Sequence, residues 1–90
     1  MMTISDVLPK LTDKQNLCLR FIHDFYERNR FYPSHREIAQ ALIVKTTNMR
    51  PYLAPLEKKG YIMADDSDSG RNIRLTRRGL EKIKLMETTQ

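Results

Sequence analysis

Two capping boxes near the start of this sequence restrict its fold more than any other feature. Thr12 stands three residues before Gln15, and Ser34 stands three residues before Glu37. In such a pair, the hydroxyl and the longer side chain satisfy free backbone amides in the first turn of a helix. We therefore predict one helix from about Asp13 to Asn29 and a second helix over the residues HREIAQAL.

The apolar residues after each box recur at the spacing of a helix face. In the first helix, this face comprises Leu17, Cys18, Phe21, Ile22, Phe25 and Tyr26. In the second helix, it comprises Ile38, Ala39 and Leu42. Ala39 is small enough for a close crossing of two helices. Pro33 separates the two helices, because the residue before a proline is pushed toward extended geometry.

A third helix should follow the turn IVKT, in which Val44 points inward. Its predicted N-cap is Thr46 or Thr47, and Gly60 can take the left-handed conformation that follows a helix end. Its predicted buried face consists of Met49, Leu53 and Leu56.

Two prolines one helical turn apart make this third helix unusual. Pro51 and Pro55 both lie on its outward side, where their rings leave the core undisturbed. Pro51 deletes only the first intrahelical hydrogen bond if Thr47 is the N-cap. Pro55 deletes an interior one, at a cost of about 3 kcal/mol. We therefore predict a kinked or locally widened helix near residues 51–55.

The pattern changes after the third helix. The segments YIM and NIRL are typical of the two strands of a hairpin, and DDSDSG between them is turn-forming. Ile73 and Leu75 should lie on one face of the second strand and Arg74 on the other. A short helix is expected in TRRGLEKIKLMETTQ, with Gly79 weakening its start.

This order of elements predicts a mainly α fold with a small β-hairpin: a winged helix-turn-helix with a three-helix core, a wing and a C-terminal helix. We divide the chain into an N-terminal arm (1–10), the winged helix-turn-helix domain (11–76), and a C-terminal helix and tail (77–90). No apolar run approaches the roughly 18 residues of a membrane span, and the N-terminus lacks a signal-peptide pattern. We therefore expect a cytoplasmic protein that does not bind membranes.

The cysteine and histidine content argues against a metal site. Cys18 is the single cysteine, which excludes an intramolecular disulfide and agrees with a reducing compartment. We interpret it as a packed thiol rather than a reactive one, because it lies on a helix face. Since His23 and His35 are the only histidines, no metal-ligand cluster can be assembled, and we expect no cofactor.

The net charge of +5 is concentrated in one part of the chain. Between Arg28 and Ile62 there are seven bases and two acids, so this stretch alone carries +5 and the remaining residues cancel. A local excess of this kind suits a polyanion such as nucleic acid. Charge alone fits equally well with a solvated surface that is rich in lysine and arginine.

The stretches LTDKQ, YPSHREIAQAL, LAPLEKKGYI and GRNIRL resemble the DNA-binding domain of LexA-type SOS repressors. The resemblance covers roughly residues 11–75 and implies a winged helix-turn-helix that binds an operator as a dimer. It also implies that residues 46–52 face the bases and that the hairpin tip lies near the DNA backbone. LexA-type repressors continue into a self-cleaving serine-lysine protease domain that also dimerises them. Its nucleophile, base and cleavage site are missing from this sequence, so we expect no enzymatic activity.

The opening turn of the third helix supplies the residues that we expect to contact bases, namely Thr46, Thr47, Asn48 and Arg50. Arginine can bridge guanine O6 and N7, and asparagine can do the same for adenine N6 and N7. In the alternative interpretation, Thr47 and Asn48 only cap the helix and Arg50 is a surface charge. The candidates for phosphate contacts are Ser34, His35, Arg36, Lys45, Lys58, Arg71 and Arg74. Arg71 is the strongest of these, because the resemblance places it beside the return strand of the hairpin.

Two functions from different classes fit these patterns. The first is a repressor that binds a palindromic operator in double-stranded DNA as a homodimer. Its predicted dimer surface is formed by Leu80, Ile83 and Met86 of the last helix. The second is a protein-binding module on the same scaffold, such as an anti-repressor or inhibitor from a phage or plasmid. The outward-facing prolines and the acidic hairpin tip favour it, because both weaken a DNA-reading surface; the tip contains Asp65, Asp66 and Asp68.

Overall fold

The computed structural model describes residues 11–65 and 70–88. Their elements are helix α1 (Asp13–Asn29), helix α2 (His35–Leu42), a 3-10 turn (Thr46–Asn48), helix α3 (Arg50–Lys58), strands β1 (Ile62–Ala64) and β2 (Ile73–Leu75), and helix α4 (Arg77–Thr88). The strands pair antiparallel, with Met63 opposite Arg74. None of these helices is long and apolar enough to span a membrane. The element order is that of a winged helix-turn-helix and confirms the predicted fold class.

Some predictions fall on parts of the chain that the structure does not describe. The N-terminal arm (1–10) lies outside the described residues, as do Asp66 and Asp68 of the predicted acidic tip. Asp65, the third acid of that tip, is described, and its carboxylate forms an ion pair with Arg74. The charge of Asp65 is therefore compensated within the hairpin.

Both predicted capping boxes are formed. The Thr12 hydroxyl accepts a hydrogen bond from the backbone N–H of Gln15 at 3.2 Å, and Gln15 Oε1 accepts one from Thr12 N–H at 3.3 Å. The Ser34 hydroxyl accepts from Glu37 N–H at 3.2 Å, and Glu37 Oε1 accepts from Ser34 N–H at 2.8 Å. Each box satisfies amides that have no partner within the helix. The predicted bounds of α1 and the predicted start of α2 are therefore confirmed.

Helix α1 is the centre of the core, because it packs against α2, α3, α4 and β2. Cys18, Leu19 and Ile22 are fully buried there, whereas Leu17 is 46% exposed. The predicted face includes Leu17 wrongly and misses Leu19, because helical spacing alone does not show on how many sides a helix has partners. Burial raises the pKa of the Cys18 thiol to about 12, which agrees with a packed thiol rather than a reactive one.

The buried faces of α2 and α3 agree with the prediction. The following predicted core residues are buried: Ile38, Ala39, Leu42, Met49 and Leu56. Val44 and Leu53 are half-buried against them. The opposite side of α3 exposes Pro51, Ala54 and Lys58. One face of α3 is therefore in the core and the other is in solvent.

The third helix differs from the prediction at its start. Thr46–Asn48 form a separate 3-10 turn, and α3 begins only at Arg50, after Met49. No side chain caps either element, so the predicted threonine N-cap is wrong. The physical reason is Pro51, whose missing N–H is tolerated best in the first turn of a helix, where amides lack an intrahelical partner.

The third segment is interrupted ahead of its first proline. The backbone is α-helical throughout Arg50–Lys58. Met49 O accepts hydrogen bonds from both Tyr52 N–H at 2.9 Å and Leu53 N–H at 3.0 Å. The third segment is therefore interrupted at Met49, between the 3-10 turn and α3, and the kink predicted near residues 51–55 stays a prediction.

The turn after α2 contains a strained residue. Ile43 has a left-handed backbone (φ 59°, ψ 48°), which costs an L-residue with a Cβ about 1 to 2 kcal/mol. Its side chain is 89% exposed, so burial does not offset this cost. The turn is held by hydrogen bonds from Ile43 N–H to Gln40 O (3.2 Å) and from Val44 N–H to Ala39 O (3.0 Å).

We predict that Ile43→Gly raises the free energy of unfolding by about 0.5 to 1 kcal/mol, because the relief of strain exceeds the entropy that glycine adds to the unfolded chain. Ile43→Ala is the matched control, since alanine keeps the Cβ and should leave stability close to that of the wild type. Urea unfolding measures both variants. Equal stabilisation by both would show that the exposed side chain, and not the backbone, is unfavourable.

Helix α4 packs on α1 and β2 and completes the core. Ile83 is 2% exposed and Met86 is half-buried against the core, while Leu80 is 41% exposed. Ile83 is therefore occupied within its own chain and Met86 is partly so, whereas Leu80 is exposed; a dimer surface on this helix stays a prediction. An amphipathic stripe in a sequence does not reveal whether it faces its own core or a second copy.

Candidate nucleic-acid interface

An open cleft of about 600 Å³ lies between α3, the first turn of α2 and the hairpin; we refer to it as the α3 cleft. It is lined by four residues that the sequence suggested for DNA contact: His35, Thr46, Arg50 and Lys58. Apolar side chains, including Met49, Leu53 and Ile73, form another part of its lining. Glu57 and Asn72 also line it, although no sequence pattern indicated them. The fold therefore gathers cationic and hydrogen-bonding side chains around an apolar surface.

The predicted base-contacting residues form one exposed run. The exposed members are Thr46, Thr47, Asn48 and Arg50. Met49 between them is only 3% exposed and anchors the run in the core. Since no side chain caps the 3-10 turn or α3, the alternative in which Thr47 and Asn48 serve as helix caps is wrong. Contact of these residues with bases stays a prediction.

The residues predicted to contact phosphate fall into three groups. His35, Arg36, Lys45 and Lys58 are exposed, whereas Ser34 is half-buried and uses its hydroxyl to cap α2. The two arginines of the hairpin are already paired with carboxylates. Arg71 Nη1 lies 2.6 Å from Glu37 Oε1, and Arg74 Nε lies 2.7 Å from Asp65 Oδ2. Each pair involves one nitrogen of a guanidinium that has five N–H donors, so either arginine could reach the DNA backbone only with the donors that its carboxylate leaves free.

Arg71 joins the hairpin to the region where α1 passes into α2. Its Nη1 also donates to Tyr32 O at 3.1 Å. Its guanidinium carbon lies 4.7 Å from the ring centre of Phe31 and 5.9 Å from that of Phe25, which are distances of cation–π contacts. Sequence reasoning missed this arrangement, because Arg71 and Glu37 are 34 positions apart and no local pattern couples them.

The carboxylate of Glu37 is shared between α2 and the hairpin. Its Oε1 accepts hydrogen bonds from Ser34 N–H and from Arg71. The Ser34 backbone N–H, followed by Arg71, lowers the pKa of the Glu37 carboxyl below its usual value. Both donors favour the charged form, so the ionised carboxylate stabilises the folded chain.

We predict that this stabilisation is lost in acid. Because the pKa of Glu37 is lower in the folded chain than in the unfolded chain, its contribution is complete above the ordinary value of 4.5 and disappears as the pH falls through the lowered folded value. Thermal unfolding at several pH values should give the wild type a higher melting temperature than Glu37→Gln at neutral pH. The difference between the two melting temperatures should shrink below about pH 4.5. A difference that stays constant in acid would mean that the charge is not its source.

Comparison with known proteins identifies relatives of this arrangement. A family model described as LexA DNA binding domain matches residues 8–71. The LexA repressor of Enterococcus faecalis is 40% identical over 85 residues, which make up 92% of this chain and 40% of that protein. The LexA repressors of Lactobacillus johnsonii and Thermotoga maritima are 42% and 37% identical, over 79% and 84% of this chain.

These relatives are longer proteins, since the chain spans only 34 to 40% of their length. The matched region includes the capping boxes, the 3-10 turn, α3 and both residues of the Arg71–Glu37 pair. The matched region corresponds to the DNA-binding domain of these proteins, and the function of that domain is non-catalytic. The chain belongs to the family of LexA DNA-binding domains.

Proposed function

We propose that this chain binds double-stranded DNA in a sequence-specific manner, as the operator-binding part of a transcriptional repressor. The observation that carries the proposal is the exposed run at residues 46–50, which borders the α3 cleft and is anchored by the buried Met49. A cytoplasmic location belongs to the same proposal, because operator DNA lies there.

In this proposal, base recognition comes from the 3-10 turn and the first residue of α3. Arg50 would bridge O6 and N7 of a guanine, and Asn48 would do the same for N6 and N7 of an adenine. Thr46 and Thr47 offer hydroxyl groups and methyl groups, which suit hydrogen bonds and a thymine methyl, respectively. Both prolines lie behind this run and contribute no donors, so they do not interfere with its hydrogen bonds.

Phosphate contacts would come from the exposed cations on either side of this run. His35 and Arg36 are in the first turn of α2, Lys45 precedes the 3-10 turn, and Lys58 is at the end of α3. Ser34 retains a hydroxyl proton that it can donate. Together these groups would position the domain on the backbone of the duplex without reading its sequence.

A homodimer on a palindromic operator is a further part of the proposal. One short reading segment makes few base contacts, so two copies on two half-sites would raise affinity and specificity. Of the predicted dimer surface, Leu80 is the exposed residue, whereas Ile83 is buried in the core of its own chain and Met86 is half-buried against that core.

Selection of bound sequences from random DNA duplexes, followed by titration with salt, tests this function. Enrichment of an inverted repeat, with affinity that falls steeply as salt rises, would support it, because phosphate binding releases counterions. No enrichment, together with salt-insensitive binding to another protein, would instead favour the protein-binding module.

A further inference from the structure

Arg71 and Glu37 connect the two walls of the α3 cleft. Arg71 is followed directly by Asn72 and Ile73, which line the cleft from the hairpin. Glu37 lies in the first turn of α2, where His35 lines the cleft from the other side. The 2.6 Å ion pair between Arg71 and Glu37 therefore fixes the distance between these walls.

The surroundings of Arg71 favour a fixed side chain over one that reaches into solvent. Its guanidinium is held by Glu37 Oε1, by the Tyr32 carbonyl and by the ring of Phe31. These partners belong to α2 and to the segment between α1 and α2, whereas Arg71 belongs to the hairpin. A planar guanidinium can satisfy a carboxylate, a carbonyl and an aromatic face together, which a lysine ammonium does less well.

We propose that Arg71 is a positioning residue for DNA binding: it holds the hairpin against α2 at the spacing that a duplex requires, and does not itself contact phosphate. The inference rests on the proposed DNA-binding function and replaces the phosphate role that residue type suggests for Arg71. Because Glu37 Oε1 serves the α2 capping box as well, the same carboxylate links the start of α2 to the placement of the wing.

Glu37→Gln separates positioning from phosphate contact. Glutamine keeps the capping box, since it is acceptable at that helix position, but removes the charge that holds Arg71. If Arg71 positions the hairpin, affinity for the selected duplex should fall by about five- to thirtyfold. If Arg71 contacts phosphate, loss of the competing carboxylate should leave affinity unchanged or raise it, which would overturn the proposal. Glu81→Gln, an exposed acid on α4, controls for the change in net charge.

Arg71→Lys gives a second, independent test. A phosphate contact needs mainly the positive charge, so lysine would retain most of the affinity and overturn the proposal. Positioning needs the planar group between Glu37 and Phe31, so Arg71→Lys should lose nearly as much affinity as Arg71→Ala does.

The slope of log affinity against log salt is the third readout. It should stay unchanged in Arg71→Ala for a positioning role and decrease by about 1 for a lost phosphate contact.

Two controls keep these outcomes interpretable. Affinities are measured where thermal unfolding shows each variant to be folded, and hydrogen exchange follows the hairpin amide of Asp65, which donates to Asn72 O at 3.0 Å. Positioning predicts faster exchange of the Asp65 amide with unchanged protection of the α1 amides.

Absence of DNA binding by the wild type would refute the proposed function itself. Wild-type binding that Glu37→Gln and Arg71→Lys leave intact would refute only the positioning role.

Discussion

Gly79→Ala should lower the free energy of unfolding by about 3 kcal/mol, although glycine to alanine within a helix normally stabilises by up to about 1 kcal/mol. Gly79 is in the first turn of α4 and is buried. A Cβ at this position would collide with the carbonyl oxygen of Tyr61 and would lie 3.1 Å from its carbonyl carbon. The close approach of two backbones therefore reverses the usual sign of the substitution.

The Tyr61 backbone cannot move away to accommodate the new methyl group. Tyr61 is fully buried and its N–H donates to Leu56 O at 2.9 Å. Its carbonyl oxygen accepts from Thr76 N–H at 3.0 Å, which ties the start of β1 to the start of α4. A shift of α4 would break these bonds and lift Ile83 out of the core.

Urea unfolding measures the effect. Lys84→Ala, an exposed position on the same helix, is the matched control and should change stability by less than about 0.5 kcal/mol. If Gly79→Ala were as stable as the wild type or more stable, the contact between α4 and Tyr61 would be looser than the structure indicates.

The parts of the fold that depend on local contacts could be predicted from the sequence. Each capping box joins residues three positions apart, so the starts of α1 and α2 follow from residue type and spacing. The start of α3 could not be predicted in this way. A helix that begins at a threonine cap and a helix that has Pro51 in its first turn would start at different residues. Which of the two starts forms depends on how Met49 is buried, which is not a local property.

The candidate interface divides in the same way. Helical spacing around Met49 predicts that Arg50 and its neighbours are exposed. They are exposed in the structure, although Thr46–Asn48 form a 3-10 turn ahead of α3 rather than its first turn. The pairing of Arg71 with Glu37 depends on how the hairpin folds back over α2, which no local signal encodes. The burial of Ile83 within its own chain could not be predicted locally either, because an apolar stripe fits an internal core and an external partner equally well.

Arg50→Ala should weaken binding to the selected duplex by about 1 to 3 kcal/mol while leaving the stability of the domain nearly unchanged. Arg50 is exposed at the first residue of α3, so its truncation creates no cavity. Arg28→Ala is the matched control, because it removes the same charge from an exposed position on α1, beside a separate shallow hollow. It should have a much smaller effect on specific binding.

Fluorescence anisotropy with the selected duplex and with a scrambled duplex distinguishes the possible roles of Arg50. A base contact predicts a large loss on the selected duplex, a small loss on the scrambled one, and a relaxed preference at one base pair. Equal losses on both duplexes would assign Arg50 to the phosphate backbone instead. Unchanged binding to both would place the groove-facing surface elsewhere, because an exposed arginine beside Asn48 cannot lie in a major groove without affecting affinity.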